Sequence, residues 1–381
     1  MNLRRNIILM YGISFLQGLV FYGSIATLYR QAAGINIFQI TLIESISFML
    51  CILFELPWGM IAERIGYKHV MIIACFLYFI SKIVFWKADS FFDFLAERIL
   101  LSVVCAGLSG CDSAILYMSC NNDKSQKVFG IYNNLSMLGL MTASAVFAVY
   151  LGNDYRMSAF LTIFPYGLAM LLALGLKEVR RPEAIRRKTF KTLVSALCKD
   201  GKFIPALIGM GLLNETHQTV TVFLNQLQYK KCGIAVSSMG YILILVTFLH
   251  LCGIFSFNFT KWLGVRKLSL LIFNVAAVSC FIMVWTNNAF LSIVCICAIS
   301  VAYSLFQPLQ MEIQNRQIVV EERAAMLSSY AVILESTAAV TNVVFGKVAQ
   351  VNLSYAMFFG GVCCILGGFL FLRYRFLNLI I

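Results

Sequence analysis

Gly59-Met60-Ile61-Ala62-Glu63-Arg64-Ile65-Gly66-Tyr67-Lys68-His69 is a short polar interruption between two long apolar runs. Its shape returns as Lys261-Trp262-Leu263-Gly264-Val265-Arg266-Lys267, where Gly264 stands for Gly66 and Arg266 for Lys68 at an offset of 198 residues. The acid and the first glycine are lost in the copy. A glycine at a helix end lets helices pack closely, a second one permits a tight turn, and basic residues hold such a loop on the cytoplasmic side. A loop repeated in this way implies two copies of a membrane-spanning half.

Composition agrees. Of 381 residues, 60% are hydrophobic and 12% charged, against roughly half and a quarter in soluble domains. So little charge cannot cover a water-facing surface, which excludes a soluble enzyme, a disordered chain and a nucleic-acid-binding domain. Runs of about 20 apolar residues, enough to cross a bilayer, fall near 7–29, 40–61, 70–86, 94–117, 128–151 and 158–176. A second set falls near 203–229, 239–260, 268–285, 289–311, 325–350 and 355–372. The first run is too long for a cleaved signal peptide. The 13 cysteines lie mostly inside such runs and read as small buried hydrophobes.

The net charge of +13 is a topology signal. With the N-terminus inside, 22 of the 30 lysines and arginines fall in cytoplasmic segments, so both termini are expected in the cytoplasm. The densest basic segment, 177–202, divides the chain into an N-terminal six-helix bundle (1–176) and a C-terminal one (203–381). The expected fold is all-α and integral to the membrane, with twelve transmembrane helices in two pseudo-repeats.

The Gly59–Lys68 segment resembles the signature Gly-x-x-x-Asp/Glu-Arg-x-Gly-x-Lys/Arg of the major facilitator superfamily, at the same place after the second span. Glu55-Leu56-Pro57-Trp58-Gly59, Ser109–Tyr117 and Glu322–Ser328 are similar to stretches of a bacterial branch of that superfamily. The resemblance implies a conformational latch at the inner surface made by Gly59, Glu63, Arg64, Gly66, Lys68 and Asp112, with Arg64 pairing with Asp112. Span five has Gly139 but lacks the Gly-Pro element associated with drug antiporters.

Ionisable residues inside spans are costly and mark function. Span seven is the richest, with Asn214, Glu215, His217 and several threonines and amides, so one face must meet water or ligand. The resemblance implies a central cavity between the two pseudo-repeats, with spans one, four, seven and ten around it. Substrate and proton candidates are therefore Gln17 and Tyr22, Glu97 and Arg98, Asn214, Glu215 and His217, and Tyr303 and Gln307. Glu335, deep in span eleven, completes the set. No phosphate loop, metal-ligand spacing or nucleophile motif occurs, so neither an enzyme nor a cofactor or metal is expected.

The resulting expectation is a secondary transporter of the inner cell membrane, working as a monomer by alternating access. Its partners would be a small-molecule substrate, protons and the lipid bilayer, not nucleic acid. Proton-coupled efflux of a hydrophobic or cationic compound, by antiport, comes first. The alternatives are proton-coupled uptake of a nutrient, peptide or metabolite, and a membrane receptor or immunity protein that binds without transporting.

Overall fold

The computed structural model describes residues 4–108, 111–120, 125–152, 154–179, 201–317 and 323–374. Helices are the only regular structure among them. In chain order they are α1 (Arg4–Ala32, interrupted after Gly18), α2 (Ile37–Ile65), α3 (Tyr67–Lys87) and α4 (Phe91–Leu108, then Cys111–Ser119). Then come α5 (Ser125–Val146, continued to Leu151), α6 (Tyr155–Leu174), α7 (Ile204–Gln218, continued to Lys231) and α8 (Ser238–Leu263). The last four are α9 (Val265–Trp285), α10 (Ala289–Arg316), α11 (Arg323–Val351) and α12 (Leu353–Arg373).

Every expected span falls on one of these helices. Eleven are long and apolar enough to cross a bilayer; the twelfth, α7, carries the polar stretch from Asn214 to Gln226 that singled it out in the sequence. Side-chain caps mark several starts: Asp154 accepts from Met157 N–H, Asn288 from Leu291 N–H and Asn352 from Ser354 N–H, each satisfying a donor the helix leaves open. The described cysteines form no disulfide.

The chain forms two compact units. Unit 1 takes Met1–Ile35, Ile46–Arg186 and Val236–Ile244; unit 2 takes Asn36–Ser45, Arg187–Ala235 and Leu245–Ile381. Within unit 1, α1 packs on α5 and α6, and α3 on α4 and α6. Within unit 2, α7 packs on α11 and α12, and α9 on α10 and α12. Adding six to each helix number in the first pattern gives the second, so the repeat extends to the packing. The exchanged ends follow the same rule. The start of α8 lies on α5 in unit 1, where a Cβ on Gly240 would come within 2.6 Å of the Ser144 carbonyl oxygen. The start of α2 lies on α11 in unit 2, with Thr41 against Gly346.

Each unit has its own apolar core. Met10, Ile13, Met71, Ile115 and Ala169 meet in unit 1; Leu207, Met210, Ile272, Phe306 and Phe371 meet in unit 2. The backbone repeats at finer scale. Gly66 (φ 94°, ψ 155°) and Gly264 (φ 75°, ψ 155°) start α3 and α9 in the same left-handed conformation, which side chains with a Cβ rarely adopt. The ends of α1 and α7 match as well. Gly34 and Ile35 N–H bond back to Gln31 and Arg30 carbonyls, and Gly233 and Ile234 N–H to those of Lys230 and Tyr229, the Schellman pattern in both cases.

Candidate functional site

α1 is regular to Gly18, leaves the helical path over 19–22, makes a 3-10 turn at Gly23–Ile25 and resumes at Ala26. Backbone that leaves a helix inside a membrane must find partners within the protein. Here α6 supplies both. Phe21 N–H donates to Thr162 Oγ1 at 3.1 Å, and the Tyr166 hydroxyl donates to the Gln17 carbonyl at 2.7 Å. Close packing of α1 on α5 holds the break from the other side, since a Cβ on Gly139 would strike the Phe15 carbonyl oxygen and Gly18.

α7 has its own irregularity, a π-helical turn at Thr219–Leu224. The offset of 199 residues that relates Gly34 to Gly233 carries Val20–Ile25 of the α1 break onto it. Discontinuities at corresponding positions of two repeats are the structural mark of a transporter's binding region, and π turns gather at functional sites. The two helices so marked bear five of the sequence-derived candidates: Gln17, Tyr22, Asn214, Glu215 and His217.

Around the α1 break, Tyr22 stacks on Phe85 at 4.2 Å between ring centroids and its hydroxyl accepts from Lys82 Nζ at 3.0 Å. The Lys82 ammonium also faces the rings of Tyr78 and Tyr166, each at 4.9 Å. Lys82 is 4% exposed and Arg30, over the Phe85 ring, is 5% exposed. Glu97 is buried and Arg98 half-buried on α4, and both act electrostatically on the Tyr22 hydroxyl, as does Arg30. Gln17 donates to Cys75 Sγ. Unit 1 thus brings together Gln17, Tyr22, Glu97 and Arg98, and adds Lys82, Arg30, Tyr78 and Tyr166, which sequence reasoning passed over.

Around the α7 turn, Glu215 is 2% exposed. Its Oε1 accepts from Thr219 Oγ1 at 2.5 Å, and Asn342 Oδ1 of α11 lies 3.5 Å from that hydroxyl. No ion pair holds Glu215 among the described residues, and the charge that acts on it comes from another carboxyl, Glu44. Two residues on, His217 stacks on Tyr303 of α10 at 3.9 Å and 11°, and His250 of α8 lies 6.0 Å from both rings. Thr221 Oγ1 is 3.3 Å from His217 Nε2, and Ser300 Oγ is 3.4 Å from His250 Nδ1. Asn214 Oδ1 is buried without a hydrogen-bond partner among the described residues. Gln307 is exposed on α10 and Glu335 half-buried on α11.

At the signature loop, the side chains of Gly59 and Glu63 lie outside the described residues. Arg64 is exposed, and Asp112 is half-buried and accepts from Ser113 N–H. Lys68 N–H faces Glu178, with oxygens at 3.3 and 3.4 Å, and His69 Nδ1 lies 3.7 Å from the same carboxylate. A carboxylate over the first turn of α3 suits the positive end of the helix. Glu178 also fills the space a Cβ on Gly66 would need. No group of three or more metal-ligating side chains occurs among the described residues.

A family model described as the Major Facilitator Superfamily matches residues 7–331. Among solved structures, a mutant of the nucleoside transporter NupG is similar at a TM-score of 0.84 and 14% identity, covering 97% of this chain and 99% of that one. A D-xylose-proton symporter is similar at 0.75 and 12% identity, covering 97% of each. A POT family transporter in complex with a thioalcohol-conjugated peptide is similar at 0.75 and 15%, covering 97% and 96%. At these identities the likeness is one of fold. No curated protein matches.

Proposed function

The chain belongs to the major facilitator superfamily, and we propose that it is a secondary transporter that couples proton movement to that of a small organic molecule by alternating access. The observation that carries the coupling is Glu215, a buried carboxyl without an ion-pair partner among the described residues, set beside a π turn and answered only by neutral groups and a second carboxyl. Such a group is costly as an anion, so proton exchange on it is a natural load for a conformational cycle.

In this reading the halves 1–176 and 203–381 move about the 177–202 linker. Gly59, Glu63, Arg64, Gly66, Lys68 and Asp112 form the latch between them. The protein sits as a monomer in the inner membrane with both termini cytoplasmic. Export is the direction taken from the sequence. Uptake is the second reading, and two observations support it: the buried cations of unit 1 make a poor lining for a cationic drug, and proteins of similar fold include a D-xylose-proton symporter and a peptide-bound transporter.

The test is flux in proteoliposomes under an imposed pH gradient, with labelled uridine, xylose, a dipeptide, succinate and tetraphenylphosphonium as probes. Gradient-driven flux of one of them is expected, its sign giving the direction. Glu215→Gln should abolish the dependence on the gradient while leaving substrate exchange. Binding without flux under any gradient would make the protein a receptor, and full gradient-driven flux in Glu215→Gln would remove the coupling role.

A further inference from the structure

Two cations of unit 1, Lys82 and Arg30, are buried, and with Arg98 they outnumber the one carboxylate, Glu97, that acts at the same place. Among the described residues neither Lys82 nor Arg30 forms an ion pair. Lys82 meets one neutral oxygen, the Tyr22 hydroxyl, and the faces of three tyrosine rings. Arg30 stands two residues from the C-terminal end of α1, where a guanidinium ordinarily reaches for water. It lies instead over the Phe85 and Phe94 rings at 5.5 and 5.9 Å, with Nε lacking any hydrogen-bond partner. Glu97 is the one carboxylate that acts on the Tyr22 hydroxyl, against Arg30 and Arg98 and the Lys82 hydrogen bond.

The phenol itself is incomplete. Its oxygen accepts from Lys82, and its own proton has no acceptor among the described residues. Donation from an ammonium makes that O–H a stronger donor, because the two hydrogen bonds polarise each other. It sits beside the break in α1, where α6 has already satisfied the backbone groups of Gln17 and Phe21. What is left over at the break is therefore one donor and an excess of positive charge.

Burying a cation without a counter-charge is expensive, and the cost is recovered when a ligand brings the missing charge. We propose that Tyr22, Lys82 and Arg30 form a subsite for an anionic group of the ligand, a carboxylate or a phosphate. The Tyr22 O–H is its direct donor, and Lys82 and Arg30 are the charges behind it. The subsite gives the transported molecule a class, and it rests on the transporter reading only for the fate of the ligand after binding.

Thermal unfolding of the full-length protein in detergent tests the subsite apart from transport. The probes are benzoate, succinate, glucose 6-phosphate, uridine and tetraphenylphosphonium. A carboxylate or the phosphate is expected to raise Tm, and which of them does so separates the two sources. Tyr22→Phe keeps the ring on Phe85 and removes the donor. It should weaken the Kd of the active anion about tenfold or more, the scale of one charge-assisted hydrogen bond. Lys82→Gln should abolish the shift and Lys82→Arg should restore part of it. The proposal is overturned if no anion stabilises the protein, if tetraphenylphosphonium does so in their place, or if the anion Kd is unchanged in Tyr22→Phe. Anion binding without flux keeps the subsite and removes the transporter; gradient-driven flux of a cation without anion binding does the reverse.

Discussion

Tyr166→Phe isolates a single oxygen at the α1 break. Tyr166 is 2% exposed; the ring's contacts with Tyr78 at 4.8 Å and with the Lys82 ammonium at 4.9 Å survive the change, and the hydroxyl's one other partner is that of Tyr78. Deleting it removes the 2.7 Å hydrogen bond to the Gln17 carbonyl and leaves that carbonyl without its partner, inside a membrane. A buried acceptor left without its donor costs about 1–3 kcal/mol. Interhelical hydrogen bonds in membrane proteins average about 0.6 and reach about 1.7 kcal/mol, because the unfolded chain also finds partners. The two ranges overlap at about 1–2 kcal/mol, a factor of roughly 5–30 in the folding equilibrium.

Reversible unfolding in mixed detergent micelles measures the loss, and amide exchange followed by mass spectrometry locates it. Exchange should accelerate in peptides covering 17–22 and stay unchanged across unit 2. Thr162→Val, which removes the acceptor for Phe21 N–H, should do the same. Thr337→Val supplies the control, since its hydroxyl donates to Ile333 within α11 and caps no break. If Tyr166→Phe costs under about 0.5 kcal/mol and exchange at 17–22 matches that of the control, α6 does not hold the break and the argument from it fails.

The close approach of α1 and α5 makes Gly139→Ala a clash with backbone, expected to cost about 1–3 kcal/mol and to lower Tm. Gly130→Ala on the same helix, with nothing within 4 Å of the new methyl, should be neutral or slightly stabilising, and equal losses in both would refute the contact. Glu178→Gln should cost about 0.3–1 kcal/mol at low salt through the first turn of α3. Because the pair is exposed, that cost should vanish at high salt; a loss indifferent to salt would point elsewhere.

The fold was legible because lipid forces the sequence to declare its spans, and because the repeated loop around Gly66 and Gly264 needs a glycine at each turn. The α7 side of the site was legible for the opposite reason: Asn214, Glu215 and His217 are too polar for a helix facing lipid. Lys82 and Arg30 were overlooked because they fall among the eight basic residues outside the cytoplasmic set, near span ends where a basic residue says little. Their meaning lies in depth and in the tyrosine and phenylalanine rings around them, brought from α1, α3, α4 and α6 by packing. Glu178 was hidden by its place beside a basic segment, and the α1 break by the absence of any proline at 19–22. Only the closeness of Gly18 to Gly139 and the bonds from α6 make it a stable departure from helix.

A backbone device asks little of the side chains that cross it, and the α1 break and α7 π turn differ in almost every residue they contain. Duplication followed by drift would leave that pattern: an irregular turn of the ancestral half persists in both descendants while each acquires its own side chains. Beside its break one half buries Lys82 and Arg30, and beside its turn the other holds Glu215, His217 and His250. A chain built from two copies of the N-terminal half should therefore keep the architecture and lose Glu215 and the two histidines. The asymmetry of these groups, rather than the symmetry of fold, is what tells the two halves apart.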